Sequence, residues 1–266
     1  MTEDTEKYSV PGLERGLGIL ALFSRQTPTL TAPEIEQQLE LPRTTVFRLL
    51  VTLERMGFVE RLANGREFQP GTAVLKLGFK YLAPLALTQL GYPVLNTLCQ
   101  QTDYASNLVV RDHTDIVYIL RASPPTIFSG SVHVGTRLPA HATVLGRVLL
   151  SQLSETELHE LYPNNALPLK GEHTPKTVDE LYKLLQDDYK RGFVAEDGFF
   201  ESHISTVAAP VFGLNNRLVA AISLTLTGGK IPDDERDALI QAVCFSAQKL
   251  SAKLQQQHKT EEALPL

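Results

Sequence analysis

The sequence is poor in cysteine: its 266 residues include only Cys99 and Cys244, and neither has a partner at zinc-ligand spacing. This scarcity excludes a disulfide framework, a cysteine zinc site and an iron–sulfur site, and it fits a reducing compartment. The longest uncharged stretch, 81–102, is too polar to span a bilayer because it contains two prolines, a glycine, three glutamines and an asparagine. The N-terminus is acidic, unlike a secretory signal. We therefore expect a soluble, cytoplasmic protein without membrane contacts.

Catalytic signatures are missing as well. The sequence contains no Gly-x-Ser-x-Gly elbow, Walker loop or dinucleotide-binding fingerprint. Its seven histidines are scattered, and only His133 and His141 lie near each other in the chain. We interpret His141, at a predicted strand-to-helix corner, as a structural hydrogen-bonding residue rather than a base or a metal ligand. The sequence thus predicts no enzyme activity, no cofactor and no metal.

Basic charge is concentrated in one short segment, although the whole chain carries a net charge of −5. Residues 41–66 hold five arginines against two glutamates, whereas residues 81–266 hold fifteen basic residues against twenty acidic ones. Such an asymmetry favours one module that faces an anionic partner and a second module with another role. A solvated helix face would produce the same local charge, so the surrounding pattern has to distinguish the two interpretations.

The first forty residues predict two helices. Apolar spacing indicates a helix over 11–23. Thr31-Ala-Pro-Glu34 is typical of a capping box, in which the Thr31 hydroxyl and the Glu34 carboxylate each accept a hydrogen bond from the other residue's amide. The second helix is predicted to end near Leu39.

A third helix begins at Leu41-Pro42, after a connection short enough to force a sharp angle between helices. Its inward face is predicted to carry Val46, Leu49, Leu50, Leu53 and Met56. Gly57 ends the helix, and the Asn64-Gly65 pair that follows is a strong signal for a β-hairpin. Helix, short helix, sharp turn, helix and hairpin is the order of a winged helix-turn-helix.

The exposed face of the third helix supplies the candidate DNA contacts, because small hydroxyls and arginines near the start of a recognition helix meet base edges in the major groove. The predicted base-reading residues are Arg43, Thr44, Thr45 and Arg48, with Phe47 on the same face. Arg55, Arg61 and Arg66 are predicted to hold phosphates, Arg66 from beside the hairpin tip. The expected partner is double-stranded operator DNA.

The remainder of the chain predicts an antiparallel sheet with helices packed on it. A helix over 71–90, bent by Pro84, carries an apolar stripe, and another helix is predicted over 92–102. The predicted strands are 105–110, 116–120, 127–134, 204–212 and 217–225, and the further helices are 143–153, 177–191 and 233–256. Such a mixture belongs to the α+β class.

Segments from both halves resemble one family. Residues 41–53 read Leu-Pro-Arg-Thr-Thr-Val-Phe-Arg-Leu-Leu-Val-Thr-Leu, and residues 135–146 read Gly-Thr-Arg-Leu-Pro-Ala-His-Ala-Thr-Val-Leu-Gly. With the segments 191–196, 207–211 and 218–225, they resemble the IclR family of bacterial transcription regulators. The resemblance runs from Val10 to Leu254. It departs at Phe47, where histidine is common, and at Asp197-Gly-Phe-Phe200 and His203, which border the expected pocket.

The resemblance implies a regulator with two domains. It implies a winged helix over 8–71, a linker and dimerisation helix over 72–91, a GAF/profilin-like effector-binding domain over 92–257 and a flexible tail over 258–266. The protein would form a homodimer or a dimer of dimers and control a catabolic operon. The alternative is a ligand-binding interaction module, or an enzyme with a sensor-like domain, that keeps a vestigial DNA-binding unit. The intact arginine face argues against that alternative.

The resemblance also implies an effector site for a small organic or aromatic acid. Its residues here would be Ile127, Gly130, Val144, Leu145, Glu196, Thr206, Ser223 and Thr225. A carboxylate would point at residues 143–146, because the amides at a helix start favour anions. Glu196 is equally well interpreted as a solvated loop acid. The hydroxyls of Ser223 and Thr225, on an apolar strand, need partners, which a ligand, the backbone or water would provide.

Overall fold

The structure is a computed structural model that describes residues 8–24, 26–83, 85–125, 132–171 and 173–262, with side chains as far as residue 257. The chain divides into two compact units, Met1–Ala83 and Pro84–Leu266. Each unit has a hydrophobic core of its own. The division between them falls inside the predicted linker.

Within its described residues, the first unit contains four helices and a three-stranded antiparallel sheet. The helices are α1 (Pro11–Leu22), α2 (Ala32–Leu39), α3 (Arg43–Arg55) and α4 (Thr72–Leu82). The strands are β1 (Leu30–Thr31), β2 (Val59–Arg61) and β3 (Glu67–Pro70), in the order β1-β3-β2. The core draws on α1, α2, α3 and the strands, through Ile19, Leu30, Ile35, Val46, Leu50, Val59 and Phe68. The predicted winged helix-turn-helix is confirmed.

The capping box of α2 forms as predicted. The Thr31 hydroxyl accepts a hydrogen bond from the Glu34 amide, and the Glu34 carboxylate accepts one from the Thr31 amide at 2.7 Å. In α3, Val46 and Leu50 are buried. The prediction for Met56 is wrong: its side chain is 56% exposed, because α3 ends at Arg55 and helical spacing no longer carries the next residue inward.

The hairpin of β2 and β3 forms the wing. Asn64 Oδ1 accepts hydrogen bonds from the amides of Arg66 and Glu67 at 3.0 and 3.1 Å. Gly65 has a φ of 70°, a left-handed conformation that favours glycine. The Asn-Gly pair therefore makes the turn that the sequence predicts.

The second unit is built on a six-stranded antiparallel sheet in the order β6-β5-β4-β9-β8-β7. The strands are β4 (Ala105–Asp112), β5 (Asp115–Ala122), β6 (Arg137–Pro139), β7 (Val194–Asp197), β8 (Ile204–Phe212) and β9 (Leu218–Thr227). The helices are α5 (Ala86–Thr102), α6 (Val144–Leu150), α7 (Glu155–Leu161), α8 (Val178–Arg191) and α9 (Arg236–Glu262). Helices α5 and α9 pack on one face of the sheet, and α6 and α8 pack on the other. The predicted α+β class is confirmed.

Helix α5 differs from the prediction, since it begins at Ala86 and contains Gly91 and Pro93 rather than starting after Gly91. A Cβ at Gly91 would lie 3.0 Å from the Leu108 side chain and 3.1 Å from that of Leu120. Close packing on the sheet thus overrides the local helix-breaking signals. None of the described helices is long and apolar enough to cross a membrane.

The segment between β5 and β8 also differs from the prediction. Residues 127–131 of the predicted strand 127–134 lie outside the described residues, and the edge strand that pairs with β5 is β6. The predicted helix 143–153 ends at Leu150, and α7 follows it. Glu196, expected in a loop before a strand, lies within β7 itself. Helix α8 ends as predicted at Gly192, whose φ is 76°.

Candidate DNA-binding surface and effector cavity

The candidate DNA contacts lie on α3 and beside the wing tip. The exposed members are Arg43, Thr44, Phe47, Arg48, Arg55 and Arg66, and Thr45 is half-buried. In the part of the chain that the structure describes, none of these four arginines has a carboxylate within ion-pairing distance. Their positive charge is therefore available to a polyanion such as DNA.

Arg61 differs from the other arginines of the first unit. Its guanidinium forms an ion pair with Glu54 at 3.1 Å and lies 4.6 Å from the centre of the Phe68 ring. The sequence predicted a phosphate contact here, but binding DNA would require Arg61 to give up part of these contacts. Its contribution to DNA affinity is expected to be smaller than that of the unpaired arginines.

A cavity of about 190 Å³ lies in the second unit, against the face of the sheet that carries α6. Its apolar lining includes Val132, Leu138, Val144, Leu145, Phe199 and Phe200, and its polar lining includes Tyr118, Arg121, Glu201, His203, Thr206 and Thr225. Four residues of the predicted effector site are therefore brought together. Thr206 and Thr225 lie directly opposite each other on β8 and β9.

The other predicted effector residues do not line this cavity. Ser223 is fully buried, and its hydroxyl accepts a hydrogen bond from the Asn107 amide at 3.3 Å. Glu196 accepts a hydrogen bond from Arg147 Nη1 at 2.8 Å, so its partner is a protein cation. Ile127 and Gly130 lie outside the described residues.

Arg147 and Asp188 form a buried ion pair behind the cavity wall, and each side chain is only 1% exposed. Two hydrogen bonds join them, from Nε and Nη2 of Arg147, at 2.7 and 2.8 Å. Desolvation lowers the pKa of Arg147, but the bonds to Asp188 and Glu196 outweigh it, so the pKa is raised. The guanidinium also lies 4.8 Å from the centre of the Phe199 ring, which belongs to the cavity lining. The ion pair thus supports one wall of the cavity.

Sequence reasoning missed Tyr118 and Arg121. The pairing of β4 with β5 shifts by one residue between Leu108 and Val109, which is a β-bulge. Residues three apart in a regular strand point to opposite faces, but the extra residue returns both side chains to the cavity face. The predicted strand 116–120 ends just before Arg121. The position of Arg121, a charged residue directly after an apolar strand, is the sequence signal that could have identified it.

The helix start at residues 143–146 is built closely against the preceding turn. The Thr143 hydroxyl accepts a hydrogen bond from the Gly146 amide at 3.1 Å. A Cβ at Gly146 would lie 2.0 Å from the carbonyl oxygen of Ala140, so this position requires glycine. His141 Nε2 donates to the Pro168 carbonyl at 3.0 Å, as expected for a structural residue. One amide that was predicted to face the effector's carboxylate is therefore already capped.

A larger groove of about 500 Å³ borders α8, α9 and β8. Its lining includes Asp188, Arg191 and Cys244 but none of the predicted effector residues. The smaller cavity is the better candidate, because it combines aromatic walls with a few convergent polar groups, as ligand sites usually do.

A winged helix with uncompensated arginines, joined in one chain to a unit with a small lined cavity, is the arrangement of a DNA-binding regulator with a sensor unit. The model of the IclR helix-turn-helix domain matches residues 12–63, and that of the bacterial transcriptional regulator IclR C-terminal domain matches residues 79–252. The chain belongs to the IclR family of transcription regulators. This membership decides against the enzyme alternative, because the family consists of regulators.

Individual relatives agree over most of the chain. The Pca regulon regulatory protein of Pseudomonas putida is 28% identical over 89% of this chain and 81% of its own length. The crystal structure of an IclR transcriptional regulator from Alicyclobacillus acidocaldarius has a TM-score of 0.81, with 26% identity, over 92% of this chain and 99% of that one. An IclR homolog from Microbacterium hydrocarbonoxydans, crystallised with 4-hydroxybenzoate, has the same fold. Its identity is 24% and its TM-score 0.79, over 91% of this chain and 98% of that one.

Proposed function

We propose that the protein binds a pseudo-palindromic operator as a homodimer, or as a dimer of dimers, and changes its operator affinity when it binds a small organic acid. The observation that carries this proposal is the presence, in one chain, of an exposed arginine surface without acidic partners among the described residues and a small cavity with apolar and polar walls. The controlled genes would form a catabolic operon that degrades the effector or a relative of it. The protein would act where its DNA lies, in the cytoplasm.

The size and lining of the cavity support a small effector with an apolar or aromatic body. Its volume of about 190 Å³ is below the range of roughly 300–1,000 Å³ that is typical of sites for drug-sized ligands. Phe199, Phe200 and Leu145 offer apolar contact area, and the hydroxyls of Thr206 and Thr225 offer hydrogen bonds. The similar proteins include a regulator of a Pca regulon and a homolog crystallised with 4-hydroxybenzoate. Aromatic acids are therefore the first class of effector to test.

The proposed dimer rests on α4, which buries none of its side chains. Leu75 and Phe79 are each 65% exposed, and they lie one turn apart on the same face of the helix. Soluble proteins rarely leave a contiguous apolar surface uncovered. The occupant we propose is the same helix of a second copy, because α4 directly follows the wing and winged-helix dimers match the two-fold symmetry of their operators.

At the DNA, Arg43, Thr44, Thr45 and Arg48 would read base edges, while Arg55 and Arg66 would hold phosphates. Guanidinium groups suit both tasks, because their planar donors bind guanine or phosphate oxygens in pairs. Phe47, exposed on the same helix, would contact a thymine methyl group or a sugar. Arg61 would serve as an auxiliary phosphate contact.

The test is fluorescence anisotropy with the full-length protein and DNA from upstream of its own gene and of the neighbouring genes. One upstream fragment should bind more tightly than a scrambled fragment of equal length, with a strong dependence on salt. An acid that binds the protein should change that affinity by about 5- to 150-fold. Equal affinity for upstream and scrambled DNA would overturn the operator proposal. An acid that binds tightly without changing DNA affinity would overturn the effector proposal.

A further inference from the structure

Arg121 is a cation without an acidic partner at the wall of the cavity. Its side chain is half-buried, and no carboxylate among the described residues lies within ion-pairing distance of it. The sequence has no acidic residue between Asp115 and Glu155, so the segment that continues from β5 supplies none either. Desolvation lowers the pKa of Arg121, which reflects the cost of holding this charge away from water.

The partners of Arg121 are neutral and hold it in place. Its Nη1 donates to Asn107 Oδ1 at 3.3 Å, and its Nε donates to the Ser123 hydroxyl at 3.0 Å. Asn107 in turn donates to the hydroxyls of Ser223 and Thr225 at 3.3 and 3.0 Å. Arg121, Asn107 and Ser223 lie directly opposite one another on three neighbouring strands. This ladder orients the guanidinium without neutralising it, and Nη2 has no acceptor within the described part of the chain.

Tyr118 faces the same cavity because of the bulge in β5. Burial raises the pKa of its phenol to about 12, so the hydroxyl stays protonated at neutral pH and is able to donate a hydrogen bond. The acidic side chain in the lining, Glu201, contacts His203 at 3.4 Å rather than Arg121. A ligand with one negative charge therefore meets an uncompensated cation, whereas a second carboxylate near Glu201 would be repelled.

We propose that Arg121 is the specificity-determining residue of the effector site, where its guanidinium binds the carboxylate of a small monocarboxylic acid. This inference rests on the proposed effector function and adds the charge of the effector and the group that recognises it. The Ser223–Asn107 ladder positions the guanidinium, and this explains why Ser223 contributes to the site without lining the cavity. The apolar body of the acid lies against Phe199, Phe200 and Leu145.

The test compares each acid with its uncharged amide by calorimetric titration of the full-length protein. The probes are benzoate, 4-hydroxybenzoate and 3,4-dihydroxybenzoate with the corresponding benzamides. Wild-type protein should bind at least one acid about tenfold or more tightly than its amide, which is the usual range for a charge-assisted hydrogen bond. Arg121→Gln should remove that preference, because it should weaken the binding of the acid and leave the binding of the amide unchanged. Arg121→Lys should restore part of it, and Arg111→Gln, an exposed control on β4, should change nothing.

The outcomes separate this inference from the function on which it rests. If an acid binds wild-type protein and Arg121→Gln binds it equally well, the inference fails while the effector proposal stands. If no acid of the panel binds, an aromatic acid effector is contradicted, and this inference fails with it. A ligand-free readout adds an independent check: Arg121→Met should change the unfolding temperature little, because removing an unpaired desolvated charge offsets the lost hydrogen bond to Asn107 Oδ1. A clear loss of thermal stability in Arg121→Met would make Arg121 a structural residue and overturn the inference.

Discussion

The two units of the chain use arginine in opposite ways. In the first unit Arg43 and Arg48 project from α3 into solvent without acidic partners. In the second unit Arg147 is buried against Asp188, and Arg121 is half-buried at a cavity wall. An extended polyanion is bound by many exposed charges that remain hydrated until contact. A small anion is bound by one charge that the fold has already desolvated and oriented.

The second unit shows the same contrast on a smaller scale. Arg147 has two carboxylate partners and stabilises the fold, whereas Arg121 has neutral partners and keeps its charge for another molecule. Both guanidiniums lie close to the cavity, one behind the Phe199 ring and one in the lining. Burial alone therefore does not reveal the role of an arginine; the charge of its partners does.

The largest expected effect comes from breaking the buried ion pair. Arg147→Met should lower the free energy of unfolding of the second unit by about 3–5 kcal/mol, because it removes the buried cation that makes two hydrogen bonds to Asp188 and leaves this carboxylate only its ion pair with the more exposed Arg191. Urea denaturation followed by circular dichroism measures the change. The double variant Arg147→Met with Asp188→Leu should recover part of the loss, since it also removes the buried carboxylate that has lost its buried partner.

The matched control is Arg137, which also bridges two carboxylates but at the surface. It pairs with Asp112 at 2.7 Å and Asp115 at 3.2 Å while its side chain is 48% exposed. Exposed pairs contribute little to stability because water and salt screen them. Arg137→Met should therefore shift the denaturation midpoint far less than Arg147→Met. Equal losses in the two variants would contradict the distinction between buried and exposed arginines.

The next effect concerns the apolar surface of the first unit. Phe79→Glu should weaken self-association by about 2–4 kcal/mol, the range for a central apolar residue of an interface. Multi-angle light scattering at micromolar concentration should show a dimer for wild type and a monomer for the variant. Lys76→Glu introduces the same charge on an exposed lysine of α4 and should leave the dimer intact. A wild-type monomer would contradict both the dimer and the palindromic operator.

The first unit was more predictable from the sequence than the second, and the reason is the range of the signals. The Thr31–Glu34 capping box, the Leu-Pro turn and the Asn64-Gly65 hairpin each act within a few residues, and each forms as the spacing indicates. The exposed face of a single helix can also be predicted from spacing along the chain. Met56 was placed wrongly only because the helix end was placed too late.

The effector cavity depends on register between distant strands, which spacing along the chain does not contain. Arg121 meets Asn107 and Ser223 only through the pairing of β5, β4 and β9, and a one-residue bulge decides which face it occupies. The partner of Glu196, Arg147, lies 49 positions away in the chain, so spacing alone does not reveal that this carboxylate already has a cation. The family resemblance names Val144, Leu145, Thr206 and Thr225, which line the cavity, but it does not name Arg121.

A smaller effect tests the exposed arginines. Arg48→Ala should cost about 1–3 kcal/mol in binding to the operator if Arg48 reads a guanine edge, and less in binding to random DNA. Anisotropy titrations on both DNAs at matched salt measure the difference. Arg61→Ala is the control within the same unit. It should lower the operator affinity less, because Arg61 already forms an ion pair with Glu54. Equal losses for Arg48→Ala on operator and random DNA would make Arg48 a phosphate contact.

The smallest expected effect concerns the helix capping box, a feature that the two units share. Each contains a capping box, Thr31 with Glu34 at the start of α2 and Ser154 with Glu157 at the start of α7. Thr31→Ala and Ser154→Ala should each cost about 1 kcal/mol, the usual cost of losing a helix N-cap. Hydrogen exchange should show faster exchange confined to α2 in the first variant and to α7 in the second.

The same caps predict a shared dependence on pH. Hydrogen bonds from the cap residue's amide and hydroxyl hold the pKa of Glu34 and of Glu157 below the ordinary 4.5. Because the folded pKa is the lower one, the stabilisation is complete above pH 4.5 and disappears as the pH falls through the folded value. Exchange in α2 and α7 should therefore accelerate relative to neighbouring helices on acidification. Glu34→Gln and Glu157→Gln should each remove the pH dependence in one helix only, and a variant that altered both helices would show that the two units do not unfold independently.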